Sequence, residues 1–199
     1  MRRYTLSIVS AFMLFGCTAT TPSVNEYTLL SSKTIQPTTI PLSSKSLSVS
    51  LSKSIPSLST KNLIYLRENG ETGAYLYSRW NDTPTALIQR SLITSLYENA
   101  LFTSLSSSNS LAQADWVLES DLDAFYHRFT HTKSEGYIDI TYRLIDTRTK
   151  RLLGSKRFSI SSPAPTMDAT GGVDALQKAT HELNTQCILW LTTLTKEIK

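Results

Sequence analysis

Cysteine is nearly missing from this chain, with two in 199 residues, at positions 17 and 187. Two cysteines cannot make a disulfide framework, and no structural zinc site is available from them. Charge is scarce too. Asp, Glu, Lys and Arg make up only 18%, and the formal net charge is +4. Removing Arg2 and Arg3 from the 20 basic residues brings the balance against 16 acidic ones to about +2. That is too little to argue for nucleic-acid binding. After Cys17 no apolar segment approaches the length of a membrane span, which excludes a polytopic permease. No Gly-x-x-x-x-Gly-Lys-Ser/Thr run occurs, which excludes a P-loop ATPase. A Gly-x-Ser-x-Gly elbow is missing and no histidine sits in a triad-like context, which speaks against a serine hydrolase.

What is present begins with Leu14-Phe15-Gly16-Cys17. Arg2 and Arg3 form a short basic start, and Tyr4 to Phe15 is an uncharged, mostly apolar run too short to cross a bilayer. Gly16 supplies the small residue that cleavage before a lipidated cysteine requires. The pattern predicts a lipoprotein signal peptide over 1–16, cleaved between Gly16 and Cys17, with lipid on Cys17 as the membrane attachment. Cys187 is then left over in an exported protein, as a buried thiol or an intermolecular bridge. Its place in an apolar helical pattern favours the buried thiol. Thr18 rather than Asp follows the cysteine, which predicts sorting to the outer membrane.

Residues 17–45 are rich in Ser, Thr and Pro and read as a tether, interrupted at Glu26–Leu30 by a possible edge strand. Residues 46–199 read as a single α/β domain, and 40% hydrophobic residues suffice for its core. Leu47, Val49 and Leu51 alternate with serines, as in a half-buried strand. Leu63–Leu66 and Ala74–Trp80 flank Asn69-Gly70, a strong hairpin signal. Asp82 or Thr83 caps a helix with Pro84 in its first turn and Leu87, Ile88, Leu92, Leu96 and Ala100 on one face, ending near Phe102. Ser106 to Ser110 reads as a loop.

Three long strands follow. Trp116, Leu118, Leu122, Ala124 and Tyr126 share one face of the first, with Glu119, Asp121 and Asp123 on the other. Ile138, Ile140, Tyr142 and Leu144 point inward from the second. Phe158 and Ile160 of the third should meet Ile140 and Ile138. Gly171-Gly172 opens a last helix with Val173, Leu176, Leu183, Cys187, Trp190, Leu191, Leu194 and Ile198 as its core stripe. Both helices are expected on one face of a mixed sheet.

His127 and His131 are four apart, but both fall near a hairpin end and lack a rigid third ligand, so surface positions are expected and no metal site. Asp121-Leu122-Asp123 resembles an Asp-x-Asp metal motif. In a strand, though, both carboxylates reach solvent, and a turn near Ser134 would set Asp123 opposite Arg143. Arg148, Lys150, Arg151, Lys156 and Arg157 cluster on the last hairpin. Arg148, Lys150 and Arg151 are the candidate partner-binding residues, suited to an acidic partner or phosphate headgroups. There is no candidate catalytic residue, and no cofactor beyond the covalent lipid.

Several short motifs occur in one order. They are the lipobox, Tyr27-Thr28-Leu29, a strand ending in Trp80, and a Pro-led helix over 84–102. Ala114-Asp115-Trp116-Val117-Leu118 then opens a long strand, and Asp146-x-x-Thr149 marks a hairpin. This series resembles the ABC-type transport auxiliary lipoproteins, a family that includes the lipoprotein of the paraquat-inducible operon. One departure is Trp80-Asn81-Asp82-Thr83-Pro84, a residue longer than the frequent Trp-Ala-x-Pro. The resemblance implies a mixed, largely antiparallel sheet with two main helices. That fold is similar to the anticodon-binding-domain-like class and to the N-terminal domain of the Tol-system propeller protein. It also implies a non-enzymatic lipoprotein on the periplasmic face of the outer membrane, in an intermembrane lipid transport system. Its partners would be a mammalian-cell-entry-type protein and an inner-membrane ABC permease and ATPase. A homo-oligomer stays open. A regulator of a periplasmic cell-wall synthase is the alternative, since it can use a similar small domain on a tether.

Overall fold

A computed structural model describes residues 23–30, 41, 43–108 and 110–198. Gly16, Cys17 and much of the stretch read as tether lie outside the described residues. The elements run β1 (Asn25–Tyr27), β2 (Ser43–Val49), β3 (Lys53–Ser54), a 3₁₀ turn (Pro56–Ser59), β4 (Asn62–Leu66), β5 (Thr72–Trp80) and α1 (Pro84–Glu98). They continue with β6 (Phe102–Ser107), β7 (Trp116–Phe129), β8 (Ser134–Asp146), β9 (Leu152–Pro163) and α2 (Ala169–Glu197). The fold is α/β, with a curled mixed sheet and two helices.

The sheet is assembled around β7. Along one edge β7 pairs with β8 throughout, and β9 continues outward from β8. The other edge is shared by β2, β3 and β4, all parallel to β7. Beyond them, β6 adds parallel to β2, β5 antiparallel to β4, and β1 parallel to β5. Five of the eight pairings are therefore parallel, and the expectation of a largely antiparallel sheet is corrected. The antiparallel ladders are β4–β5, β7–β8 and β8–β9, each joined by a short turn. Parallel neighbours need long crossovers, which leave no local mark in a sequence.

Local chemistry explains most element ends. Gly70 takes φ +86° in the turn between β4 and β5, and a side chain there would be strained. Thr83 caps α1, its hydroxyl accepting the Ala86 N–H at 3.4 Å, with Pro84 as first helical residue. The helix stops at Glu98 because Ala100 adopts φ +44°. Leu101 and Phe102 then turn into the core, and Ser106 and Ser107 belong to β6 rather than to a loop. Asp168 caps α2 by accepting the Gly171 N–H at 2.9 Å, so this helix starts before the glycine pair.

The inward faces of β8 and β9 follow the expected register, Ile138 opposite Ile160 and Ile140 opposite Phe158. In β7 the expected alternation holds only to Leu122. A bulge between Leu122 and Ala124 adds one residue, and beyond it Phe125 and His127 are buried while Tyr126 is only half-buried. The turn after β7 spans Thr130 to Lys133, with Ser134 already in β8. Arg143 therefore sits opposite Glu119 and donates to Asp121 at 2.6 Å, not to Asp123. Leu51 is exposed beyond the end of β2, and Ser52 turns inward to share a hydrogen bond with Ser120 at 2.7 Å.

One core joins both helices to the sheet. Leu87, Ile88, Leu92 and Leu96 come from α1, and Val173, Leu176, Leu183, Cys187 and Leu191 from α2. Asn184 of α2 donates to the Ser91 and Ser95 hydroxyls of α1 at 2.8 and 3.1 Å. Trp190 and Leu194 are half-buried at the margin of this core, and Ile198 is exposed past it. Cys187 is a fully buried free thiol whose pKa is pushed up by that burial. Among the described residues no helix is long and apolar enough to cross a membrane.

Close contact between α2 and the sheet depends on Gly136. A Cβ there would stand 2.4 Å from the backbone nitrogen of Leu176 and 2.5 Å from the carbonyl carbon of Ala175. Backbone atoms of a packed helix cannot yield as a flexible side chain does. Gly136→Ala should therefore lower stability by about 1–3 kcal/mol or more, read from the urea midpoint. An unchanged midpoint would mean that α2 packs farther from the sheet.

Candidate functional site

A groove of about 870 Å³ opens where β2 passes the N-terminal end of β7. It follows from the alternation in β2. Leu47 and Val49 point into the core, so Ser46, Ser48 and Ser50 line the opposite face. Residues 110–114 and the turn from Asp146 to Lys150 form its walls, and Lys45, Arg148 and Lys150 are its cations.

The walls are held by tight local bonding. Asp115 accepts the backbone N–H of Ser46 at 2.8 Å and its hydroxyl at 2.7 Å, while its own N–H donates to Ser46 Oγ at 2.9 Å. The Thr147 hydroxyl donates to the carbonyls of Ala114 and Asp115 at 2.6 and 2.8 Å. Asp146 accepts the Thr149 N–H at 2.7 Å and its hydroxyl at 2.8 Å, and Lys150 closes the turn at φ +58°. These hydrogen bonds hold both carboxyls below the usual carboxylate range: Ser46 acts on Asp115 and Thr149 on Asp146. Lys45 and Arg148 add smaller electrostatic support. Both acids are therefore ionised at neutral pH and occupied as turn caps.

Among the described residues, Lys45, Arg148 and Lys150 form no ion pair. Three cations against two carboxylates leave the groove slightly basic, with serine hydroxyls between them. The Ser46 and Thr149 hydroxyls are spent on these two carboxylates, and the groove offers its cations and the remaining serine hydroxyls outward.

The basic cluster of the sequence is divided by the structure. Arg148 and Lys150 line the groove, whereas Arg151 is exposed at the start of β9 and does not. Arg157 forks onto Asp139 at 2.8 and 2.6 Å, and Lys156 lies 5.1 Å from the centroid of the Phe158 ring. Lys45, which the sequence reading missed, is brought in by the parallel pairing of β2 with β7. The serine alternation of β2 was the only local sign of this face.

The histidines separate as well. His131 is exposed and ion-paired with Glu68. His127, expected at the surface, is 0% exposed because the β7 bulge turns it inward. Its Nδ1 is 2.7 Å from the Tyr75 hydroxyl, and its ring fills the space left by Gly172, where a Cβ would come within 2.5 Å. Burial pushes the His127 pKa down to about 4, against a smaller opposing effect of Asp168, and pushes Tyr75 up to about 12. Asp121 is held by Arg143, and Asp123 is exposed on the bulge. Among the described residues no three His, Cys, Asp or Glu side chains gather as metal ligands do.

The family model described as "ABC-type transport auxiliary lipoprotein component" matches residues 27–187. No curated protein matches the chain. A solved protein from Xanthomonas campestris is similar at TM-score 0.79 and 16% identity, over 87% of this chain and 98% of that one. An uncharacterized protein aligns at TM-score 0.65 and 12% identity, over 89% of this chain and 99% of the other. A hypothetical protein from Chlamydia trachomatis reaches TM-score 0.50 at 9% identity, over 74% and 98%. At these identities the likeness is one of fold.

The His127 environment gives a signed pH dependence. Its folded pKa of about 4 lies below the ordinary 6.5, so between these values the unfolded chain binds more protons. The neutral imidazole's contribution is complete above pH 6.5 and is lost as pH falls towards 4. Melting temperature should drop across that window, and more shallowly in His127→Gln, which keeps an acceptor for Tyr75 without titrating. Equal slopes in the two proteins would refute the assignment.

Proposed function

Because this chain belongs to the family of ABC-type transport auxiliary lipoprotein components, we propose that it is a non-enzymatic, lipid-anchored subunit of an intermembrane lipid transport system. Residues 1–16 are the signal peptide, and Cys17 carries the lipid on the periplasmic face of the outer membrane. A tether joins it to one α/β domain, whose likeness to the anticodon-binding-domain-like class belongs to the same reading. The domain docks a mammalian-cell-entry-type component served by an inner-membrane ABC permease and ATPase. The serine-lined groove with Arg148 and Lys150 is the docking site.

The observation that carries this reading is the polarity of the molecule. β1 and β5 run opposite to β7, so β1 starts on the side of the Phe129 end. The groove lies at the Trp116 end, beside Asp146. The 14 residues of β7 span roughly 45 Å at ~3.3 Å each. An anchor on the N-terminal segment therefore leaves the groove facing away from its membrane.

Two outcomes test the proposal. Cys17→Ser should block lipidation and leave precursor at the inner membrane, and intact mass showing an unmodified mature Cys17 in the native protein would refute the anchor. Arg148→Glu with Lys150→Glu should keep the melting temperature, since exposed substitutions usually shift stability by less than about 0.5 kcal/mol. That variant should recover several-fold less transporter partner from detergent-solubilised envelopes, whereas Arg151→Glu should recover nearly the normal amount. Undiminished recovery would refute the groove as the docking site. Recovery of a penicillin-binding protein in place of transporter components would refute the transport reading.

A further inference from the structure

Asn25 follows Cys17 by only eight residues. Fully extended, eight residues reach roughly 29 Å. A lipid on Cys17 therefore keeps β1, and the sheet edge it joins, within that distance of the leaflet. Most of the tether lies on the far side of β1 and adds nothing to this reach.

That same edge carries uncovered apolar side chains. Leu76 is 77% exposed, Tyr77 48% and Val24 44%. The first two protrude because the β4–β5 ladder breaks: Asn62 pairs with Arg79 and Ile64 with Ala74, so two steps along β4 answer five along β5. β1 and β5 pair Asn25 with Ser78, and one further step in that parallel register sets Val24 beside Tyr77. The acids close in sequence are neutralised. Glu26 in β1 accepts from Arg79, with the Nε contact at 2.9 Å, and Glu71 just before β5 is 3.7 Å from Arg67. No unpaired carboxylate on these two strands would oppose an anionic leaflet.

We infer that Val24, Leu76 and Tyr77 form a membrane-contact patch seated in the interfacial layer of the leaflet that holds the Cys17 lipid. The inference rests on the reading of Cys17 as lipidated. Three side chains would hold a free domain to a bilayer only weakly. The anchor makes the contact intramolecular, so a modest patch is enough. Tyrosine suits the position, with its ring among acyl chains and its hydroxyl at headgroup level. Together, tether and patch fix two points of the molecule on the membrane. The domain then stands in one orientation, with the serine-lined groove pointing away.

Leu76→Cys in the full-length, lipidated protein gives one reactive thiol, since Cys187 is fully buried and Cys17 is acylated. A nitroxide at 76 is compared with one at position 108, beside the groove, in vesicles of phosphatidylethanolamine and phosphatidylglycerol. The label at 76 should collide with dissolved oxygen rather than a water-soluble nickel chelate by a ratio several-fold above that at 108. Leu76→Asp with Tyr77→Asp should keep the fold and bring the label at 108 into partial contact with lipid, because the orientation is lost. Equal ratios at 76 and 108 while intact mass shows an acylated Cys17 overturn the patch and leave the anchor standing. Spin–spin broadening at 76 overturns it in favour of a second copy of the chain. An unacylated Cys17 removes patch and anchor together.

Discussion

Every strand of the sheet but β1 pairs with β7 or with a strand that does, and β1 joins at the edge through β5. A strand paired along both edges must satisfy its backbone groups over its whole length, and β7 does so unevenly. One partner, β8, covers all of it, while three short partners divide the opposite edge. Those short strands cannot shift independently, because each is set by the part of β7 that it covers. The bulge at Asp123 is the one break in the β7–β8 ladder, and it has consequences at a distance. By adding a residue it turns Phe125 and His127 inward. His127 then fills the space that Gly172 leaves in the first turn of α2. With Gly136 admitting the helix backbone farther along, the approach of α2 to the sheet follows from one inserted residue and two missing side chains.

Much of this architecture was legible where the deciding contacts are local. Asn69-Gly70 marked its hairpin, Thr83-Pro84 its helix start, and the alternating Ile138, Ile140, Tyr142 and Leu144 the inner face of β8. What was not legible depends on neighbours distant in sequence. The parallel pairings depend on crossovers, so the balance of the sheet was misjudged. A bulge shifts phase without any residue type that announces it, so His127 was read as a surface residue, and Arg143 was given the wrong aspartate mainly because the turn lies at Thr130–Lys133 rather than near Ser134. The strand Phe102–Ser107 looked like a helix end followed by a loop because four of its six residues are Ser or Thr. Of the candidate site, Arg148 and Lys150 could be named from turn chemistry alone. Lys45 belongs to the same groove only because β2 lies parallel to β7.

The electrostatics of that groove turn on how its acids are used. A surface with three cations and two carboxylates would ordinarily pair them and present little charge. Here Asp115 and Asp146 are occupied instead, one binding Ser46 and the other Thr149. Their charge persists, but their hydrogen bonds hold the walls in place. The cations are left without a described ion-pair partner, carried on β2 and on a turn closed by a left-handed lysine. Such a turn loses less conformational freedom on binding than an open loop of equal charge would, which is how a weakly charged site can still discriminate between partners.

The two ends of β7 are therefore chemically unlike. On the Phe129 side the exposed side chains include Val24, Leu76 and Tyr77, and Glu26 and Glu71 are each matched by an arginine. At the other end are hydroxyls and cations that form no ion pair among the described residues. Apolar contact favours any surface that excludes water, with little regard for geometry. A serine-lined groove with fixed charges favours only a surface whose own polar groups match it, because a mismatched group loses its water without compensation. A tethered domain needs both kinds of contact, in that spatial order. On the proposed reading, the undemanding one suits the membrane that holds the lipid, and the selective one suits a partner arriving from the opposite side.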